Sequence, residues 1–490
     1  MLEISTLKDI GVLGENHVVE CKLASGKDGK GELPKDFWPT YSAFTNTHGG
    51  DILLGVREKK DHRFEVEGVK NPTKVLDELW TSLNNRQKVS INLLDESLVR
   101  VLEIEGLSVV WIHVPRAGRR QQPVYLRGNP LTGTYRRLNS SDCLAAEEIV
   151  RRMLAEQLDD SRDTRILSGF GLEDLDSDSL HAYRNMFSGH KLDHPWTVLD
   201  DFDFLRSLGG WRHDRATGDE GLTLAGLLMF GQWLAIQEAV PGYFIDYQEQ
   251  PEDKTSQTRW LDRVVPDGTW SGNIFDFYRK ISRRLMADLK VPFVLVGDVR
   301  QDDTPLHRAL REALVNTLVH ADYTDRASIL VVKDPGGFLF RNPGLMRVPA
   351  EQALRGGESD CRNKTLHQMF LMINLGERAG SGLPKIRQGW EINGGTLQLF
   401  DSFEPYNQTR LEMIWSGKTS GEKLGEKLGE NRKVIVEAML YDSFVTVAQL
   451  VKMVGISSTA VENNIRYLRE HGLIRRIGPA KGGHWEVLDD

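Results

Sequence analysis

The most regular hydrophobic pattern in the chain covers residues 306–320, where apolar residues recur at helical spacing. A leucine lies at every fourth position, so these leucines share one face of a helix: Leu310, Leu314 and Leu318. Three polar residues have the same spacing and share another face: Glu312, Asn316 and His320. Residues four apart are neighbours on a helix surface, so the segment predicts an amphipathic helix with a line of polar side chains.

Short runs of consecutive apolar residues predict buried strands before and after this helix. Residues 51–56 and 109–114 form two such runs in the first third of the chain. Residues 328–333 and 338–341 form two more, joined by a turn at 334–337. Since helical and strand patterns alternate, the sequence predicts an α/β multidomain protein.

Breaks in the pattern divide the chain into five regions. Residues 416–432 repeat a Gly-Glu-Lys-Leu unit, and a segment so rich in glycine and charge is typical of a solvated linker. The other predicted regions are an α/β domain at 1–150, a connecting α+β region at 151–300, a second α/β domain at 301–415 and a small tail domain at 433–490. A chain of 490 residues has room for this number of domains.

Composition limits the classes of function. A net charge of −8 means that any binding to nucleic acid must use local basic patches. Three scattered cysteines make neither a disulfide framework nor a zinc cluster. The longest apolar stretch, at 222–236, is too short to span a bilayer, and the first residues do not have the pattern of a signal peptide. We therefore expect a cytoplasmic protein without a membrane partner.

The polar face of the predicted helix carries candidate ligands for a nucleotide and its metal. The side-chain carbonyl of Asn316 is a suitable hard oxygen ligand for Mg²⁺, and Glu312, one turn away, can orient or deprotonate a water. Downstream, Asn342-Pro343-Gly344 follows a predicted strand, and Gly380-Ser381-Gly382 opens a further predicted helix. Glycines at a helix N-terminus let backbone N–H groups approach phosphates.

The order of these motifs resembles the GHKL ATPase fold, an α/β sandwich, in the variant of bacterial ATP-binding regulators that read Asn-Pro-Gly. The resemblance implies ATP and Mg²⁺ as cofactors, with Asn316 as a metal ligand and Glu312 as the base of hydrolysis. It also implies that Asn342 contacts the adenine amino group and that Gly344 allows close approach. Two further glycines would form the phosphate lid: Gly380 and Gly382.

Two features depart from the family pattern. Asp334-x-Gly336 also matches the family's Asp-x-Gly, but it lies in the hairpin turn, one strand too early, so Asn342 is preferred as the adenine contact. An Asn carries no charge, so base specificity could be looser than in the family. The lid also has fewer glycines than the family's, which argues against fast hydrolysis.

An acidic motif near the N-terminus precedes a pair of glycines. Residues 15–22 read Glu-Asn-His-Val-Val-Glu-Cys-Lys, and residues 43–50 read Ala-Phe-Thr-Asn-Thr-His-Gly-Gly. Together they resemble the Schlafen-type AlbA domain, an α/β domain, over residues 10–140. In eukaryotic Schlafens, three carboxylates of such a domain form a metal-dependent RNA-cleaving centre.

The resemblance implies Glu15 and Glu20 as the first two carboxylates and Glu58 as the third, with Asp51 as a weaker candidate. Clustered carboxylates hold Mg²⁺ or Mn²⁺, which activates water and stabilises charge on the phosphate. On an extended strand Lys22 points to the same side as Glu20, where it can steady a phosphate oxygen. Two alternatives stay open: the motif is a surface ion-pair set, or the domain only binds nucleic acid.

A basic stretch follows at 116–137. Its arginines are Arg116, Arg119, Arg120, Arg127, Arg136 and Arg137, and two tyrosines are interleaved, Tyr125 and Tyr135. The stretch is either a solvated basic face or a groove that follows the phosphates of RNA or DNA while aromatic rings stack on bases. The neighbouring AlbA-like domain favours the groove.

The tail pattern predicts three helices and a two-stranded hairpin, which is similar to winged helix-turn-helix regulators. The resemblance implies a recognition helix at 459–471 and a wing behind it. Candidate nucleic-acid contacts are Arg466 and Arg469 on the helix and Arg475 and Arg476 on the wing. Eight Lys and Arg against seven Asp and Glu in 431–490 is a small excess for a DNA reader, so a dimerisation or other protein–protein role is the alternative.

Two functions follow from these motifs. In the first, the protein is an ATP-gated, metal-dependent nuclease, a bacterial stress or phage-defence effector whose AlbA-like domain cuts RNA or DNA. In the second, it is an ATP-responsive transcription regulator whose AlbA-like and tail domains only bind nucleic acid. The intact set of Glu15, Glu20 and Lys22 favours the first function, and the tail favours the second. In both cases we expect a homo-oligomer with nucleic acid as its partner.

Overall fold

The computed structural model describes residues 18–26, 31–58, 64–104, 106–158, 162–252, 259–287, 289, 295–296, 299–300, 304–376, 380–415, 432, 435, 438–439, 445–454, 457–470, 474–477 and 484–487. Glu15 lies outside these residues, and so does the predicted linker except for Arg432. The chain divides into two compact units: Met1–Trp390 with Leu397–Glu412, and Glu391–Thr396 with Met413–Asp490.

The N-terminal region is a small sheet with helices around it. Its elements are β1 (Val19–Lys22), α1 (Phe37–Thr45), β2 (Gly50–Leu54), β3 (Val56–Glu58), β4 (Phe64–Val66), α2 (Pro72–Leu83), β5 (Val99–Ile104), β6 (Leu107–Val114), α3 (Pro130–Gly133), β7 (Tyr135–Leu138), β8 (Ser141–Leu144) and α4 (Glu147–Leu158). Four strands form one sheet in the order β1-β2-β6-β5, with β1 parallel to β2 and the other neighbours antiparallel.

Side chains alternate across this sheet and supply two separate cores. Ile52 and Leu54 lie on one face, in a core that includes Phe37 and Phe44 of α1. Leu53 lies on the opposite face, in a second core with Cys21, Trp111, Val56 and Val66. Each face of the sheet therefore presents its own set of polar side chains.

The middle region contains α5 (Ser177–His190), α6 (Asp201–Leu208), β9 (Trp211–His213), β10 (Glu220–Leu222), α7 (Leu224–Phe230) and α8 (Trp233–Ala239). Every residue of α7 is buried, so the first part of the apolar stretch, at 222–230, is protein core, whereas Leu234 is exposed. Among the described residues, no helix has both the length and the apolar character needed to cross a membrane.

A six-stranded sheet forms the next region. Its elements are β11 (Ile245–Glu249), β12 (Asp262–Val264), α9 (Ile274–Met286), β13 (Leu295–Val296), β14 (Val299–Arg300), α10 (Pro305–Val319), β15 (Ile329–Asp334), β16 (Gly337–Pro343), α11 (Ala350–Arg355), α12 (Lys364–Met372), α13 (Gly382–Glu391), β17 (Gly395–Ser402) and β18 (Gln408–Trp415). The strand order is β12-β11-β15-β16-β18-β17. β11 and β12 lie in the segment that the sequence predicts to be a connector. They belong to this sheet because β11 pairs in parallel with β15, and β12 pairs with β11.

The predicted amphipathic helix is observed as α10. Thr304 caps its N-terminus by accepting a hydrogen bond from the His307 backbone N–H, and Pro305 occupies a first-turn position where no backbone donor is required. Leu310, Leu314 and Leu318 are fully buried. Their burial fixes the rotation of the helix about its axis.

The tail contains α14 (Val447–Val454), α15 (Ser458–Glu470), β19 (Ile474–Ile477) and β20 (His484–Val487). Leu450, Val461 and Leu468 form its core together with Ile474 of the antiparallel β19–β20 pair. The described part of the tail thus has helical residues at 432, 435 and 438–439, then a pair of helices and two antiparallel strands.

Candidate functional site

Five of the positions that the sequence assigns to ATP line a single pocket of the first unit: Glu312, Asn316, Asn342, Gly380 and Gly382. The pocket holds about 950 Å³ of space, part of it open to solvent. A concave site with apolar walls and a few convergent polar groups is the usual form of a small-ligand site.

The helix α13 begins in close contact with the polar face of α10. A Cβ atom on Gly382 would lie 2.2 Å from Glu312 Oε1 and 3.2 Å from Asn316 Nδ2. The first distance is far shorter than a van der Waals contact, so a larger residue at this position would displace the Glu312 carboxylate. The close approach closes one side of the pocket over the two polar side chains.

Asn342 reaches the pocket from the end of β16. Its side chain is buried, and Nδ2 donates a hydrogen bond of 3.3 Å to the Pro343 carbonyl. Asp334, the alternative adenine contact, instead accepts a hydrogen bond of 2.8 Å from the Gly336 backbone N–H in the turn between β15 and β16. The geometry therefore favours Asn342.

Gly344 has a different neighbour from the one that the sequence predicts. It has a positive φ of 90°, and a Cβ atom there would lie 2.6 Å from Nη1 of Arg362. Gly344 lines an adjoining pocket rather than the one that contains Asn342. The close approach that it permits is to an arginine side chain.

Two arginines that the sequence reasoning missed form a wall shared by both pockets, Arg347 and Arg362. The Arg347 guanidinium donates to Glu156 Oε2 at 3.0 and 2.7 Å, and Arg362 Nε donates to Glu156 Oε1 at 3.3 Å. Burial by itself would raise the pKa of Glu156, but Arg362, Arg347 and Arg162 outweigh burial and hold that pKa below its usual value. Glu156 is therefore a carboxylate anion on α4 at neutral pH.

His320, at the end of α10, also lines the pocket. Burial, with the positive charge of Arg362 next in importance, lowers the pKa of His320 to about 3. The imidazole is consequently neutral at physiological pH, so it contributes hydrogen bonding and shape to the pocket but no charge.

The donor set in the pocket fits a hard cation held together with phosphates. Mg²⁺ prefers oxygen ligands and is usually bound by one or two side chains plus the phosphates of the substrate. The Asn316 amide and the Glu312 carboxylate lie on one face of α10, each close to Gly382. Asn316 could share Mg²⁺ with a nucleotide, and Glu312 beside it could orient a water.

In the AlbA-like acidic motif, the Glu20 carboxylate is already paired with cations of the protein. Both carboxylate oxygens of Glu20 are paired with buried cations: Oε1 with Lys22 Nζ at 2.8 Å and Oε2 with Arg137 at 2.5 Å. Lys22 also pairs with Asp36 at 2.9 Å, and Arg137 with Asp142 at 2.9 Å. Burial lowers the pKa of Lys22, but the bonds to Glu20 and Asp36 outweigh burial and raise it overall.

The other candidate carboxylates do not join Glu20 in a described cluster. Glu58 lies two positions after Val56 on β3, so the two side chains point to the same side of that strand. Val56 belongs to the core on the sheet face opposite Glu20. Asp51 pairs with His113, Oδ1 to Nδ1 at 2.8 Å. Within the described part of the chain no three His, Cys, Asp or Glu residues could hold a metal ion. The described residues thus do not fit a metal at Glu20.

Most of the predicted basic stretch makes contacts inside the protein. Arg116 pairs with Asp401 at 2.6 Å, and Arg119 pairs with Asp360. Arg136 donates to Asn407 Oδ1 at 3.0 Å, and burial lowers its pKa to about 10. The exposed arginines of the stretch are Arg120 and Arg127. Arg137 is likewise bound to Glu20, so these four guanidinium groups are engaged with protein groups rather than lining an open groove.

The tail arginines are more accessible. Arg466 and Arg469 are exposed on α15, and Arg475 is exposed on β19. Arg476 is half-buried, with its guanidinium 4.6 Å from the centre of the Trp485 ring. The side chains suggested for nucleic-acid contact therefore lie at the surface of the described tail.

Comparisons with known proteins agree with part of this organisation. Residues 15–144 match the family described as "Schlafen, AlbA_2", and residues 337–411 match "Putative ATP-dependent DNA helicase recG C-terminal". Residues 151–246 match a domain of unknown function, DUF8451. The second match includes Asn342, Gly380 and Gly382 but not α10.

No curated protein matches the chain. Among solved structures, the DIP2311 protein from Corynebacterium diphtheriae is 18% identical, covers 96% of this chain and 92% of its own, and has a TM-score of 0.39. The N-terminal domain of a RecG-related protein from Nitrosomonas europaea is 26% identical, covers 29% of this chain and 92% of its own, and has a TM-score of 0.22. Both TM-scores are too low for either structure to define this fold.

The chain therefore combines a Schlafen AlbA_2 domain with a RecG-like C-terminal domain in a mixed α/β architecture. Together these two matches indicate a nucleic-acid-related, ATP-binding protein.

Proposed function

We propose that the protein is an ATP-responsive nucleic-acid-binding regulator whose nucleotide site is the pocket beside α10. The observation that carries this proposal is the approach of Gly382 to Glu312 and Asn316. The approach joins a helix N-terminus, a carboxylate and an amide, which together suit a Mg²⁺-bound triphosphate. Asn342, at the end of β16, would then contact the base, as in a GHKL-type α/β sandwich.

The shared arginine wall supports a regulatory role for this nucleotide. Arg347 and Arg362 line the nucleotide pocket and also bind Glu156 of α4, the helix that follows the AlbA-like domain. The adjoining pocket also contains Arg116 and Arg119 of that domain. A ligand whose phosphates attracted Arg347 or Arg362 would weaken the bonds of these arginines to Glu156 on α4.

A nuclease of the Schlafen type is the second candidate, because the AlbA_2 match includes the motif from Glu15 to Lys22. The contacts of Glu20 favour the regulator over this nuclease. Both of its oxygens accept bonds from cations, so it would have to release Lys22 or Arg137 before binding Mg²⁺ or Mn²⁺. In the regulator, the tail acts as a winged helix that contacts DNA through Arg466 and Arg475.

Titration calorimetry of the full chain with ATP, with and without Mg²⁺, tests the nucleotide site. We expect Asn316→Ala to weaken Mg²⁺-dependent affinity roughly tenfold to hundredfold, because a bond to a charged group contributes about 1.5–3 kcal/mol. Glu312→Gln should retain affinity and slow any hydrolysis. Asn185→Ala, on the exposed surface of α5, is the matched control. Unchanged Mg·ATP affinity in Asn316→Ala would exclude the assignment.

A further inference from the structure

The six-stranded sheet has a second face that none of the motifs above uses. Arg341 lies on β16 between Phe340, which is buried, and Asn342, which lines the nucleotide pocket. Arg410 lies on β18 between Thr409 and Leu411, and both of these line the same pocket. Since side chains alternate along a strand, Arg341 and Arg410 project from the face opposite the nucleotide.

These two guanidinium groups are neighbours that form no ion pair with an acid among the described residues, although the negative charge of Asp246 acts on Arg341 and partly opposes the lowering of its pKa. β16 and β18 are adjacent in the sheet. Within the described part of the chain, neither Arg341 nor Arg410 forms a hydrogen bond or an ion pair, and the Nε atom of each is buried without an acceptor. Burial lowers the pKa of Arg341, and the positive charge of Arg410 adds to that effect.

The nearest acidic groups on this face do not neutralise the pair. Asp246, on β11, accepts bonds from Arg263 at 3.1 and 2.8 Å and from Gln248 at 2.8 Å, so both of its oxygens are occupied. Glu412, two positions after Arg410 on β18, makes no ion pair with it in the described structure. Two adjacent cations that lack acceptors destabilise the free protein, and an anion bound between them would remove that cost.

The edge of this face carries a third guanidinium, which is paired with Asp246, and an aromatic ring. Arg263, on β12, lies 4.5 Å from the centre of the Trp260 ring. Asp246, Leu330 and Arg341 lie in register across β11, β15 and β16. Arg263 and Arg341 therefore stand on strands three spacings apart, roughly 14 Å. Separated guanidinium groups together with an aromatic ring suit a chain of phosphates with bases between them better than a single anion.

We propose that the sheet face around Arg341 and Arg410 binds the phosphate backbone of a nucleic acid. The planar fork of a guanidinium matches two oxygens of one phosphate, so the two arginines would hold adjacent phosphates through their terminal Nη groups. This inference rests on the proposed binding of nucleic acid. It assigns that binding to the back of the nucleotide domain rather than to the stretch at 116–137.

Fluorescence anisotropy of the full chain with a labelled oligo(dT) tests this surface as the salt concentration is varied. We expect Arg341→Gln/Arg410→Gln to reduce the slope of log affinity against log salt by about 1.4, and the affinity at about 0.1 M salt by about 25-fold, because each phosphate contact on a single strand contributes about 0.7 to that slope. Arg341→Lys/Arg410→Lys keeps the charge and loses the fork, so it should lie between the glutamine variant and the wild type.

The matched control is Arg151→Gln/Arg355→Gln, which removes the same charge from two exposed arginines on the helices α4 and α11. The glutamine variant should keep the wild-type Mg·ATP affinity, because its side chains point away from the pocket. Its melting temperature should be no lower than that of the wild type, because the substitution removes the repulsion between two adjacent cations. If the double variant does not fold, the single variants Arg341→Gln and Arg410→Gln apply the same test, each with half the change in slope.

An affinity and slope equal to those of the control pair would overturn the inference while leaving nucleic-acid binding intact. A wild-type protein that binds neither oligo(dT) nor a DNA duplex would instead overturn the binding part of the proposed function, and this inference with it. A changed oligomeric state on gel filtration, without a change in oligonucleotide affinity, would assign the face to contacts between copies of the chain and would also overturn the inference.

Discussion

Gly382→Ala separates the catalytic geometry of the pocket from the stability of the fold. The new methyl group would lie 2.2 Å from Glu312 Oε1, at the far end of a rotatable side chain, and 3.2 Å from Asn316 Nδ2. A carbon and an oxygen without a bond between them need about 3.3 Å, so the Glu312 carboxylate must move by about 1 Å. Asn316 needs to move by only a few tenths of an ångström.

The cost to folding should be small. Gly382 is the first residue of α13, and alanine is favoured over glycine in helices by up to about 1 kcal/mol, which offsets the rearrangement of one side chain. The cost to catalysis should be large, because a misplacement of about 1 Å can reduce a rate on the order of a hundredfold. We therefore expect hydrolysis to fall on the order of a hundredfold while Mg·ATP affinity changes less.

Phosphate release, calorimetry with Mg·ATP and a thermal melt of the same preparation measure these three quantities. Gly189→Ala is the matched control, because that glycine lies in α5 and a Cβ atom there would meet nothing within 4 Å. If Gly382→Ala hydrolysed and bound ATP within twofold of the wild type, the contact between α13 and Glu312 would have no role in the site. A large drop in melting temperature would show that the contact serves the fold instead.

Two further predictions concern buried carboxylates. Glu156→Gln should destabilise the protein at neutral pH by about 3 kcal/mol, because it leaves buried guanidinium groups without their anion. The pKa of Glu156 is lowered from 4.5 in the folded protein. The difference in melting temperature between wild type and variant should therefore be complete above pH 4.5 and should shrink as the pH falls through the folded pKa. Glu20→Gln should lower the melting temperature, because its bonds to Lys22 and Arg137 are lost. The wild type should not cleave tRNA, single-stranded RNA or DNA when ATP and either Mg²⁺ or Mn²⁺ are present. Metal-dependent cleavage that Glu20→Gln abolishes would restore the nuclease hypothesis.

The parts of the site that the sequence predicts are those encoded by short-range spacing. Glu312 and Asn316 share a face of α10 because they are four residues apart, and the flanking leucines determine which face is buried. Asn342 could be chosen over Asp334 because one ends a strand and the other lies in a turn. Each of these inferences needs only local geometry.

The parts that the sequence does not predict depend on distant pairs. Arg347 binds Glu156 across 191 positions of the chain, and Arg116 binds Asp401 across 285. Arginines close together in sequence look like a groove until their partners are known, and those partners are determined by the packing of one region on another. The same reason explains why β11 and β12 were predicted as part of a connector although they extend the six-stranded sheet.

The shared wall of Arg347 and Arg362 also has a thermodynamic consequence. If a nucleotide alters the contact of the two arginines with Glu156 and thereby the affinity of the protein for nucleic acid, the same coupling free energy must act in the reverse direction. Nucleic acid would then change ATP affinity by the same factor as ATP changes nucleic-acid affinity. If nucleotide levels are constant, the same protein therefore reports the presence of nucleic acid through its ATP occupancy.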